Sequence, residues 1–262
     1  MKNLLLFALL CAFFVLPFNS ALATSAIVVP SFEITEGSAE QNAEGRVKQT
    51  AECGAEQVAE DSEEQNADTV KYNGKIYHIF FHSLILYPEM AFKSQNAKGY
   101  NDWMTTRSEF KKILNKLYEN NFVLVDIDLV RQAKGKGFNF PKGKKPLIIS
   151  VDDVNYYETM KGDGFAEKLI VDENGEIATT VRTPKDAEII DYEGDVIPIV
   201  NRFVKAHPNF SFRGAKGIVG VTGFDGVFGY RVTKLKGDAY NKAFKSAKYV
   251  ANSLKANGWK IA

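Results

Sequence analysis

Apolar runs rich in β-branched and aromatic residues alternate with longer stretches of helical spacing over most of the chain. Residues 77–86 are aromatic and β-branched and predict a strand. Thr106 and Glu109 stand at capping-box spacing, and Phe110, Ile113, Leu114, Leu117 and Tyr118 follow along one helical face until Asn120-Asn121 ends it. Residues 122–127 predict the next strand, and strand–helix–strand is the order of a parallel sheet. The run at 146–151 is opened by Pro146 and is too short and too β-branched for a helix, so it predicts a buried strand. It ends in two adjacent carboxylates, Asp152 and Asp153. Residues 168–171 and 176–181 flank Asn174-Gly175, a strong hairpin signal. A helix is expected over 195–206, a short strand over 216–221 and a long amphipathic helix over 238–257, closed by Gly258. Residues 259–262 read as the first residues of a further strand. The fold class that follows is α/β.

Charge divides the chain more sharply than hydropathy does. The formal net charge of +1 hides a segment, residues 33–68, with eleven acidic and two basic residues. Residues 69–262 carry 30 basic and 21 acidic residues, a net +9, and Lys2 is the one charge before residue 33. Residues 24–70 are rich in Glu, Gln, Ala, Ser and Gly and nearly empty of aromatics, which predicts a disordered acidic linker. Residues 1–23 read as a signal peptide, with Lys2, an apolar core at 4–18 and the cleavage triplet Ala21-Leu22-Ala23. The mature protein is therefore expected to be secreted or cell-surface associated, in a bacterium, with no stable membrane span. Cleavage leaves Cys53 as the only cysteine, which excludes an intramolecular disulfide. A basic body on an acidic tether suits an anionic partner, or a tail that neutralises the body.

Several candidate sites weaken on inspection. His78 and His82 would bind zinc together on a helix, but on a strand four residues rise roughly 13 Å, too far for one ion. One buried histidine and one near a strand end is the better expectation. The glycine-rich stretches at 137–144 and 220–226 fit neither phosphate-binding nor dinucleotide spacing and read as loops. The basic stretch 131–145, interleaved with Phe138 and Phe140, would suggest nucleic acid in a cytoplasmic protein. In an exported one it suggests an anionic wall polymer, and no nucleic-acid partner is expected. His207 lies at a helix end before Pro208, remote from the acid pair. Asp152 and Asp153 remain. On an extended chain they point in different directions, so one can hold a metal while the other takes a proton; the alternative is an aspartate pair that caps or turns the chain, which is common after strands.

Ile149-Ser150-Val151-Asp152-Asp153-Val154 resembles Thr-Phe-Asp-Asp-Gly, the first motif of the polysaccharide deacetylase family. Residues 77–82 look like the family's early strand ending in Tyr-His. Residues 195–208 and 216–221 look like its first helix and second strand. The helix at 239–257 with residues 258–262 looks like the approach to its second motif. The resemblance covers about residues 75–262, with the hairpin at 168–181 as an insertion. It implies a polysaccharide deacetylase-like domain over 71–262, an incomplete distorted (β/α) barrel. The implied reaction is metal-dependent removal of acetyl groups from peptidoglycan, chitin-like glycans or acetylated xylan. Asp152 would be the general base and Asp153 a ligand to a divalent metal, usually zinc. Ser150, Val151 and Val154 depart from the motif. The family's His-x-x-x-His ligand motif would fall after Ala262, so the resemblance covers the family's N-terminal part and the chain as written is expected to be inactive or nearly so. The alternative expectation is a non-catalytic module that binds cell wall or another anionic glycan.

Overall fold

The structure is a computed structural model that describes residues 68–262. The expected signal peptide, Cys53 and all but the last residues of the expected acidic linker lie outside the described residues. In chain order, β1 (Thr69–Tyr72) and β2 (Tyr77–Phe81) precede three helices, α1 (Pro88–Ala91), α2 (Ala97–Trp103) and α3 (Arg107–Glu119). Then come β3 (Phe122–Leu124), α4 (Ile127–Ala133), β4 (Phe138–Pro141) and β5 (Lys145–Val151). A meander of β6 (Ala166–Val171), β7 (Ile177–Arg182) and β8 (Glu188–Asp191) leads into α5 (Val196–Ala206). The chain continues through β9 (Gly217–Val219), α6 (Gly237–Ala256) and β10 (Trp259–Ile261).

The fold is mixed α/β and organised around β5. Every residue of β5 after Lys145 is buried, as a continuous apolar run covered on both faces should be. β2 lies parallel to β5 from Tyr77 opposite Leu147 to Phe81 opposite Val151. The other side of β5 is shared: β3 pairs with it as far as Leu147, and β9 takes over at Ser150. β10 adds outside β9, also parallel. β2 and β3 therefore flank β5, and α3 crosses over it between them. Leu147, Ile149 and Val151 face a core that includes Phe81, Phe110, Ile197 and Trp259, while Ile148 faces Val123, Phe140 and Phe212. Burial of each such side chain contributes roughly 1.5–3 kcal/mol. Among the described residues no strand joins β2 to β10, so the sheet is open rather than a closed barrel.

Local signals placed most elements correctly. Thr106 and Glu109 form the expected reciprocal capping box at the start of α3. Asp195 caps α5, and Gly258 follows α6 with φ +84. Three expectations need correction. The strand expected over 77–86 stops at Phe81, because the backbone beyond it is claimed by other partners. Leu84 donates to the Asp195 carboxylate, and Leu86 and Tyr87 donate to the Gly164 carbonyl. The strand expected over 122–127 stops at Leu124, because Asp126 accepts from the Asp128 N–H and starts α4 at Ile127. The basic stretch 131–145 is not simply a loop: it holds the end of α4 and all of β4. β4 pairs antiparallel with β1, placing Phe138 and Phe140 against Tyr72, so Val70 belongs to the fold rather than to a linker.

Candidate acid site at the strand ends

Asp152 and Asp153 lie just past the C-terminal end of β5, the end at which parallel sheets bind ligands. The Asp152 N–H donates to the Phe81 carbonyl at 2.8 Å, and the Val151 carbonyl accepts from Gly220 at 2.8 Å. Asp152 is thereby fixed between the ends of β2 and β9. Asp153 then turns into the left-handed region at φ +57, and Tyr156 does the same at φ +51. An aspartate tolerates that conformation, but a buried tyrosine in it stores strain of order 1–2 kcal/mol. The turn separates the two carboxylates. An Asp152 oxygen lies 3.6 Å from where a Cβ on Gly220 would stand, whereas Asp153 lies beside Tyr157. Burial pushes the Tyr157 phenol above its ordinary value; the Thr222 hydroxyl opposes this and Asp153 adds to it. Both aspartates are half-buried.

The turn is held by a second segment, residues 220–231, of which the sequence reading took 220–226 as a glycine-rich loop. Val154 donates to Gly220, Phe228 donates to Val154, and Gly229 donates to Asn155. Asn155 is fully buried and is the main clamp. Its amide donates to the Phe224 and Gly226 carbonyls at 2.7 and 2.6 Å, and its side-chain oxygen accepts from Thr222 at 3.2 Å. Arg231 donates to the Asn155 and Tyr156 carbonyls from the far end of the loop. Two of its glycines are needed for close approach: a Cβ on Gly226 would stand 1.9 Å from the Tyr230 carbonyl oxygen and one on Gly229 2.3 Å from that of Glu167.

The histidines do not complete a metal site. His78 is the exposed one, with its ring Nε2 3.0 Å from the Ser150 hydroxyl, so it is not the expected buried histidine. His82 follows β2, and its buried Nδ1 has no hydrogen-bond partner. His207 is packed against Tyr118 and Phe203, with ring centroids 4.6 Å from each. Among the described residues no three His, Cys, Asp or Glu side chains come together to hold a metal ion. Asp152, Asp153 and His82 therefore do not form the three-ligand set a catalytic zinc needs.

Below the turn lies a third acid. Asp195 is fully buried and accepts from the Leu84 N–H at 3.1 Å, the Val196 N–H at 2.8 Å and the Tyr156 hydroxyl at 2.6 Å. Burial raises its carboxyl to about 6, against the opposing effect of those three donors. Through Tyr156 this acid supports the strained turn that carries Asp153. Sequence reasoning identified Asp195 as a helix start and missed this link, together with Asn155, Tyr157, Thr222 and Phe224. The glycine spacing at Gly220, Gly223, Gly226 and Gly229 was the signal that 220–231 is built to lie against something.

The comparisons with known proteins add no identity to this geometry: no family model, no curated protein and no solved structure matches the chain.

Proposed function

We propose that the protein is an exported polysaccharide deacetylase-like hydrolase, built on an incomplete distorted (β/α) barrel and directed at acetylated cell-wall or chitin-like glycan. The observation that carries this reading is the acid pair on a strained, clamped turn at the carboxyl end of the central parallel strand. The motif resemblance around Asp152 and Asp153 supplies the reaction class. In hydrolysis of an acetamide, water adds to the carbonyl carbon, the carbon–nitrogen bond breaks, acetate forms and the amine leaves with a proton. Asp152 is the group to take the proton from water. The family role for Asp153 is a ligand to a divalent metal, zinc by preference. The donors present do not make a three-ligand site, so no step is assigned to a metal. The chain on its own is expected to release little or no acetate. The test is acetate release from acetylated glycan by the purified protein with zinc or cobalt added. Release no greater than that of Asp153→Ala is expected; release well above that variant would overturn the expectation.

One observation favours a second reading, a module that binds an anionic wall polymer. Residues 69–79 and 131–147, which form β1, β4 and their flanks, contain eight basic residues and no acid. Lys71, Lys134, Lys136 and Lys142 have no ion-pair partner among the described residues. This face lies at the start of β5, roughly 20 Å of strand from the acid pair. It predicts salt-sensitive retention on cell walls that Asp152→Ala with Asp153→Ala does not change and that Lys71→Glu with Lys136→Glu abolishes. Among the described residues no helix is long and apolar enough to cross a membrane.

A further inference from the structure

The loop that clamps the acid turn also presents a large aromatic ring to solvent. Phe224 exposes 74 % of its surface, more than any other large hydrophobic side chain among the described residues. It is not a loose loop tip. Its carbonyl accepts from the buried Asn155 amide, and its N–H donates to the Thr222 hydroxyl at 3.3 Å. The ring sits 6.0 Å from that of Tyr157, centroid to centroid and tilted by 57°. Tyr157 in turn has its hydroxyl 3.2 Å from Thr222 and lies beside Asp153. Two aromatic rings are thus fixed in sequence, leading away from the acid pair.

Phe224 opens onto a cavity of about 540 Å³ lined also by Glu158, Thr159, Gly223, Asp225, Thr233 and Lys234, and Tyr157 stands outside it, next to Phe224. That is within the size range of small-ligand sites. Its walls differ in chemistry. Phe224 supplies an apolar face. Lys234, also in the lining, lies 2.8 Å from both Glu158 and Asp225, which brings donors and acceptors to the same cavity. Thr159 and Thr233 add hydroxyls. An aromatic face beside mixed donors and acceptors suits a ligand with one C–H face and a rim of hydroxyls, which describes a pyranose. A purely apolar peptide would leave the Glu158–Lys234–Asp225 network unmatched, and a polyanion would meet two carboxylates.

We propose that Phe224 and Tyr157 form a stacking platform for a pyranose ring, placing the next unit of the same glycan over Asp152 and Asp153. This rests on the glycan reading of the acid site and adds the surface that binds the chain beside it. Platform binding requires neither a metal nor turnover.

The test is titration of the full chain, without added metal, with the β-1,4-linked tetramer of N-acetylglucosamine, read by NMR shift changes and calorimetry. Cellotetraose, which lacks acetamides, serves as the second probe. Phe224 is exposed, so Phe224→Ala is expected to fold unchanged by circular dichroism and to weaken tetramer binding about five- to tenfold. Phe224→Trp is expected to retain or tighten it, which a merely structural role for the residue would not produce. Equal affinity for the unaltered chain and Phe224→Ala, or no binding at millimolar tetramer, would overturn the platform. Phe224-dependent binding that is equal for both probes upholds the platform and counts against the acetamide reading of the acid pair instead.

Discussion

Two groups of carboxylates lie close together at the top of this sheet, and they are treated in opposite ways. Asp195 is fully buried and has three donors on its two oxygens, one of them the phenol of Tyr156. Asp152 and Asp153 are half-buried on a turn in which Asp153 and Tyr156 both take left-handed backbone. A buried carboxylate that is fully bonded fixes the fold around it. A carboxylate held on strained backbone with its oxygens within reach of solvent contributes little to folding and is available for chemistry. The difference separates an acid bonded into the fold from a pair left within reach of solvent, although Tyr156 connects them.

The largest effect should come from cutting the structural acid. Asp195→Ala leaves the Leu84 and Val196 N–H groups and the Tyr156 hydroxyl buried without an acceptor. Urea unfolding at neutral pH is expected to show a loss of about 3–5 kcal/mol, more than any single change at Asp152 or Asp153. A loss below about 1 kcal/mol would mean that water replaces the carboxylate and that the site is not sealed.

A smaller effect follows from the protonation of the same residue. The folded carboxyl titrates at about 6, above its ordinary value of 3.8. The folded state thus prefers the protonated form. The part of Asp195's contribution that comes from its protonation is fully present below 3.8 and is lost as pH rises through about 6, while the hydrogen bonds it accepts remain. Asp195→Asn keeps a good helix cap and removes the titration. The difference in stability between the unaltered protein and Asp195→Asn is expected to change by about 1–3 kcal/mol across that window and to be flat above it. A difference that does not vary with pH would show that Asp195 titrates alike in the folded and unfolded states, so that burial does not raise it.

What was legible in the sequence follows the range of the interactions. The capping box at Thr106 and Glu109 and the turn at Asn174-Gly175 are local chemistry, and each appears where its residues said it would. The end of β3 was also local, but Asp126 reads as a strand residue unless it is recognised as the cap of α4. β8 and the β1–β4 ribbon were not legible, because strands of four residues are too short to show a pattern of their own and are identified by their partners. The acid pair was visible as a pair at a strand end. Its surroundings were not. The bonds that build it join Asn155 to Thr222, Phe224 and Gly226 across 67 to 71 residues, and Asp195 to Leu84 across 111.

The contrast between the two acid groups is tested most directly by replacing the pair proposed as functional without disturbing its shape. Asparagine tolerates the left-handed backbone of Asp153 and keeps the volume of both side chains. Urea unfolding of the double variant Asp152→Asn, Asp153→Asn is expected to leave stability within about 0.5 kcal/mol of the unaltered protein, or to raise it. A loss of about 3 kcal/mol or more, comparable with Asp195→Ala, would show that the pair holds the fold together and is not a functional site.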